Sequence, residues 1–143
     1  MRRTFLRNLF VVLASLYLLG TIVGGVGLGW TALHPGRRPI TVNEQIQAEE
    51  TAKSDDAELR DVSIVAPDGA VLRGWHVRPA KANGSAVILL HGVGDNRLGI
   101  SGYGDWLVRN HYTVLLPDAR AHGLSGGELA TYDRKNPMTY TPG

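Results

Sequence analysis

The side chains with chemical potential in this chain fall into two short segments. One is His91-Gly92-Val93-Gly94-Asp95-Asn96-Arg97; the other is Asp118-Ala119-Arg120-Ala121-His122-Gly123-Leu124-Ser125-Gly126-Gly127. A hydroxyl, two imidazoles and a carboxylate at such spacing suit three chemistries: nucleophilic hydrolysis, metal binding and dinucleotide binding. His91, Asp118 and His122 could converge on a metal, but the chain has no H-E-x-x-H or similar ligand spacing, so no metal is expected. Gly92-Val93-Gly94 offers the first two glycines of a dinucleotide loop, with Arg97 where the third should stand. Asp118 is the one acid placed for a ribose. A β-hairpin ahead of that loop argues against the reading, and no cofactor is expected; a dinucleotide-binding domain stays as a lesser alternative.

Elements that would position these residues follow from hydrophobic periodicity. Asp61–Ala66 alternates apolar and polar, Pro67-Asp68-Gly69 turns the chain, and Val71–Arg78 alternates again, which predicts a hairpin with one buried face. Asn83-Gly84 opens Ser85–Leu90, a continuous apolar run of the kind buried on both faces of a parallel sheet and ending at His91-Gly92. Ser101–Asn110 predicts a helix with Tyr103, Trp106 and Leu107 on one face, weakened by Gly102 and Gly104. Asn110 is expected in the left-handed position that ends it. Tyr112–Leu116 is a second buried strand, stopped by Pro117. Strand, helix, strand is one parallel crossover, so the fold class is α/β.

Upstream the chain is of another kind. From Asn8 to Leu33 no residue is charged, and the run is long enough to cross a bilayer, which takes ~20 apolar residues. A cleaved signal peptide has a shorter apolar core and a small-residue cleavage site, so a retained signal-anchor over 9–33 is expected behind a basic flank at 1–8. Arg2, Arg3 and Arg7 precede the span and Arg37 and Arg38 follow it, an arrangement that favours a cytoplasmic amino terminus and an extracytoplasmic remainder. Gly20 with Gly24, and Gly25 with Gly29, make small-xxx-small pairs that would let two anchors approach. Residues 34–58 read as a linker, in part helical, and 59–132 as the domain.

Composition narrows the field further. The 143 residues carry 15 Lys plus Arg against 13 Asp plus Glu, but every basic excess lies at the flanks of the apolar run, where no basic face could follow a phosphate backbone. Nucleic acid is therefore not an expected partner. The absence of Cys excludes a disulfide scaffold, a thiolate metal site and a Cys nucleophile.

Taken together, the Pro-Asp-Gly hairpin, Val-Ile-Leu-Leu-His-Gly over 87–92, a crossover helix and Val-Leu-Leu-Pro-Asp-Ala-Arg-Ala-His-Gly-Leu-Ser-Gly-Gly over 114–127 resemble the amino-terminal half of an α/β-hydrolase. The likeness is to membrane-anchored bacterial members related to serine aminopeptidases, prolyl-oligopeptidase-like peptidases and lysophospholipase-like esterases, and it covers about Leu59–Tyr132. It implies serine-dependent hydrolysis of an ester or peptide bond. It also implies an oxyanion hole to which the loop after the third strand contributes a backbone N–H. Val93 is the candidate for that N–H, with Gly92 giving the sharp turn and His91 shaping the loop. By the same resemblance Asp118, Arg120 and His122 hold the neighbouring loop in shape.

Gly123-Leu124-Ser125-Gly126-Gly127 matches the nucleophile-elbow pattern G-x-S-x-G. A true elbow has its Gly directly after a strand and a helix directly after its Ser. Here Asp118–His122 intervene and two glycines follow, so Ser125 matches the Ser of the Asp-x-Arg-x-His-Gly-x-Ser loop and is expected to be structural. In the family the nucleophile, acid and His come later, and the polar, proline-broken stretch 133–143 does not read as the helix leading to them. The expectation is a truncated or frame-shifted product lacking the triad, and so inactive, with a non-catalytic membrane module as the alternative. Strands built for burial on two faces would then leave Ala86–Leu90 as an exposed apolar edge, and self-association is expected.

Overall fold

The computed structural model describes residues 2–130, so Thr131, Tyr132 and the tail 133–143 lie outside the described residues. It divides into two compact units, Met1–Leu33 and His34–Gly143. The first is helix α1 (Arg2–Leu33), one continuous helix through all five of its glycines, with no side chain buried. It is long and apolar enough to cross a membrane.

The second unit begins with α2 (Val42–Ser54) and continues with strands β1 (Ala57–Val65), β2 (Val71–Pro79) and β3 (Ala86–Ile88), then a 3₁₀ turn at Arg97–Ile100, helix α3 (Ser101–Arg109) and strand β4 (Thr113–Pro117). The stretch 34–58, read as a linker in part helical, contains α2. Thr41-Val42-Asn43-Glu44 forms a capping box, in which the Thr41 Oγ1 accepts from the Glu44 N–H and the Glu44 carboxylate accepts from the Thr41 N–H. Ala52 of α2 is buried in the core and Gln45 accepts a hydrogen bond from the Trp75 indole at 3.0 Å.

The sheet order is β1-β2-β4-β3. The hairpin β1–β2 is antiparallel in unbroken register from Ala57↔Pro79 to Val65↔Val71, turned at Gly69 with φ 86°. β2 pairs antiparallel with β4, and β4 pairs parallel with β3, so β3, α3 and β4 make the expected crossover. One face of this sheet is covered: Trp75, Val77, Val114 and Leu116 pack with Ala52 and Val108 from the two helices. The opposite face, which carries Ile64, Leu72, Leu115 and Ile88, has no helix over it among the described residues. Gly74 lies on that face, where a Cβ would come within 3.0 Å of the Pro117 Cα.

One expectation about α3, the residue that ends it, is corrected, and its packing face is set by a glycine. Tyr103 and Trp106 are exposed, and the helix buries Gly104 and Val108. The reason is close approach: a Cβ on Gly104 would stand 3.3 Å from the Leu116 side chain, so the glycine that weakens the helix lets it lie on β4. The left-handed residue that ends α3 is His111, φ 69°, one position after Asn110, whose φ is −93°. β3 is shorter than the apolar run predicts, although the Leu89 N–H still donates to the Leu115 carbonyl at 3.0 Å.

Candidate functional site

Three connections meet at one end of the sheet: the β1–β2 turn, the loop after β3, and the loop after β4. The last is pinned by Asp118, which is 1% exposed. Its Oδ1 accepts from the Arg97 backbone N–H at 2.9 Å; its Oδ2 accepts from the Arg97 guanidinium and from the Leu124 N–H, both at 2.8 Å. One carboxylate thus ties the start of the 3₁₀ turn to the far side of its own loop. Burial alone would raise its pKa, but the Arg97 guanidinium and the N–H groups of Leu124 and Arg97 outweigh that and hold it below the usual Asp value.

Arg97, considered in the sequence only as a misfit to a glycine motif, has no exposed surface. Its guanidinium lies 5.1 Å from the Trp75 ring centroid and 3.5 Å from Asp61, while its Nε and one Nη have no hydrogen-bond partner among the described residues. An Arg is almost never fully buried without a partner, and here the partners come from β1, β2 and the loop after β4, remote in sequence. Asn96 beside it is also buried and caps the 3₁₀ turn by accepting from the Leu98 N–H at 2.9 Å.

His91 bridges the two loops. Its Nε2 accepts from the Ala119 N–H at 2.9 Å and its Nδ1 lies 2.8 Å from the Gly92 carbonyl. An acceptor at Nε2 requires the proton on Nδ1, so the geometry selects one neutral tautomer. The His122 ring is 5.1 Å away, buried, with Nδ1 on the Arg120 carbonyl and Nε2 without a partner among the described residues. Arg120 turns the other way and pairs with Asp68 of the β1–β2 turn, which holds the Asp68 carboxyl below its ordinary pKa.

The turn that carries Val93 runs from the Gly92 carbonyl to the Asp95 N–H at 3.3 Å. Gly94, φ 76°, takes the left-handed conformation in it, the role the sequence reading gave to Gly92. Val93 is 67% exposed and its N–H has no hydrogen-bond partner among the described residues.

Ser125 stands apart from that exposed loop. It is fully buried, its Oγ donates to the Asp118 carbonyl at 2.7 Å and accepts from the Arg73 N–H at 2.9 Å. A hydroxyl closed to solvent, with its proton and a lone pair already engaged, cannot attack a carbonyl. Nor can Asp118 receive a ribose, since both its oxygens are occupied and buried. No group of three His, Asp, Glu or Cys close enough to hold a metal exists among the described residues; the lone pair of His91 and the Asp118 oxygens are spent on backbone and Arg97.

The basic pair after α1 also has a local role that the sequence did not suggest. The Arg37 guanidinium donates to the Ser125 carbonyl at 3.2 Å and to the Gly127 carbonyl. The Arg38 carbonyl accepts from the Asn96 side chain at 2.8 Å.

No protein-family model matches the sequence, and no curated protein matches it. Among solved structures, the esterase Pf2001 of Pyrococcus furiosus is similar in three crystal forms. One gives a TM-score of 0.53 at 33% identity, covering 69% of this chain and 36% of the esterase. A second gives 0.53 at 30% identity over 67% and 34%, and the third 0.52 at 32% over 68% and 35%. The chain therefore spans about a third of the length of that esterase. The hairpin, the crossover and the strand-end loops form an α/β arrangement consistent with an α/β-hydrolase.

Proposed function

We propose that this chain is the membrane-anchored, amino-terminal part of a serine hydrolase acting on an ester or peptide bond, and that the residues described here build its oxyanion side. The observation that carries this reading is the Val93 N–H, without a partner among the described residues, on an exposed residue in a turn held from both sides, by His91 on Ala119 and by Arg97 on Asp118. A fixed, unsatisfied donor of this kind can stabilise the charge that develops on a carbonyl oxygen during acyl transfer. Helix α1 serves as the anchor, with the rest of the chain on the extracytoplasmic side.

The described residues supply no nucleophile: Ser125 is sealed, and the chain on its own is proposed to be catalytically inert. Exposing the full chain to a fluorophosphonate, which phosphonylates active serines with loss of fluoride, followed by intact-mass measurement, is the test. The expected result is an unmodified mass; an adduct on Ser125 would overturn this assignment. Applied to native membranes, the same reagent should label a product heavier than 15.5 kDa. A native product of 15.5 kDa that stays unlabelled would favour the second reading, a non-catalytic membrane module, for which the occupied Ser125 hydroxyl speaks.

A further inference from the structure

We propose that the cavity between α2, α3 and the covered face of the sheet binds a small organic amine, an ammonium group on an apolar body. The proposal goes beyond the hydrolase reading, since none of the residues lining this cavity belongs to the strand-end loops.

The first observation is how the space arises. Trp75, Val77 and Leu116 form its floor, and toward them α2 presents only Ala48 and Ala52, with Ser101 coming from α3. The larger apolar side chains of α2, Val42 and Ile46, are exposed. Short side chains over a wide apolar floor leave a partly open cavity of about 320 Å³. That lies within the ~300–1,000 Å³ of ligand pockets, at the small-molecule end.

The second observation is an unmatched charge. The cavity wall carries one base, Arg38, and two acids, Glu44 and Asp105. Arg38 is shared between Glu44 at 3.6 Å and Asp95 at 3.7 Å. Arg109, one turn along α3 from Asp105, is paired with Asp55 at 3.1 Å. The half-buried Asp105 carboxylate has no hydrogen bond or ion pair of its own among the described residues. Burial, then the charge of Asp55, disfavours its ionised form against the pull of Arg109, and a bound cation offsets that cost.

The hydroxyls nearby point to the same ligand. Thr51 Oγ1 donates to the Gln47 carbonyl at 2.8 Å and Ser101 Oγ to the Leu98 carbonyl at 2.9 Å. Their protons are spent, so what they offer a ligand is lone pairs. Ser101 and Asp105, four residues apart, share one face of α3. An ammonium brings three donors and no acceptor, which suits this pair. No group of three metal-ligating side chains stands here among the described residues, and the apolar floor selects an organic cation.

The test is isothermal titration of the full chain in detergent micelles with phenethylamine and with its neutral counterpart, phenethyl alcohol. The amine should bind about tenfold tighter, because only it pairs with the carboxylate. Asp105→Asn should erase that preference, and Ala48→Leu, which fills the space over the floor, should remove binding of both compounds. Denaturation midpoints check that the variants are folded; where Ala48→Leu is not, the Asp105→Asn comparison decides alone. Equal affinity for amine and alcohol in the parent chain overturns the proposal, as does the lack of saturable binding of either. An amine preference that survives Asp105→Asn puts the binding in the micelle or on another surface and overturns it too.

Discussion

Arg97 and Asp118 are joined guanidinium to carboxylate at 2.8 Å, and solvent reaches neither side chain. The pair links the residue that follows the Val93 turn to the residue that opens the loop after β4, so the two walls of the candidate site are set by one ion pair. Such a pair adds little over a well-packed apolar substitute, but removing one partner leaves the other charge buried and unmatched.

Arg97→Ala and Asp118→Ala should therefore each cost about 3–5 kcal/mol, enough to unfold a small unit whose total stability is of that order. Urea denaturation followed by Trp fluorescence is the measurement, with Trp75 reporting directly because Arg97 lies over its ring. An Arg97→Met, Asp118→Leu double variant should lose much less than the two single losses added together; full additivity would mean that the pair is not a coupled unit.

Stability should fall on acidification. Asp118 has a lowered pKa in the folded state, so its contribution is fully present above the ordinary Asp value of about 3.9 and is lost as pH falls through the lower folded value. In a pH series of denaturation curves, Asp118→Asn should be less stable than the parent at neutral pH and converge with it in acid. Asp105 has the opposite sign: burial first, then the charge of Asp55, raises its pKa against the pull of Arg109. Asp105→Asn should stabilise the protein at neutral pH and lose that advantage as pH falls below the Asp105 value. Parallel curves at all pH values would contradict both assignments.

Ser125→Ala separates a structural hydroxyl from a reactive one. It leaves the Arg73 N–H without its acceptor, at a cost of about 1–3 kcal/mol, and it should leave fluorophosphonate labelling of the heavier native product unchanged. Abolished labelling with unchanged stability would make Ser125 the nucleophile.

Among the described residues β3 is an edge of the sheet, and Ile88 on it is 62% exposed. An apolar edge with free backbone groups is a template for another chain. Ile88→Lys should reduce self-association of the full chain in detergent micelles, read by sedimentation equilibrium, without lowering its denaturation midpoint. An unchanged association constant would place self-association elsewhere, with the glycine pairs of α1 the next surface to vary.

Elements whose signal is local were legible along the chain. The span of α1, the hairpin with its Pro-Asp-Gly turn, the crossover and the two strand-end loops follow from hydrophobic period and turn residues, which act over a few positions. Thr41-x-x-Glu44 was also there to be read as a helix start, and it marks where folded structure begins within 34–58. Tertiary structure alone decided the rest. Arg97 is buried because Trp75 of β2 and Asp118 after β4 lie 22 and 21 residues away in the chain. α3 turns Gly104 and not Tyr103 to the sheet because Leu116 leaves room for no Cβ without crowding. Arg37, which in sequence is one of two charges flanking an apolar span, closes on a loop 88 residues later. Burial and partner choice depend on which surfaces meet across the fold, and no local period encodes that meeting.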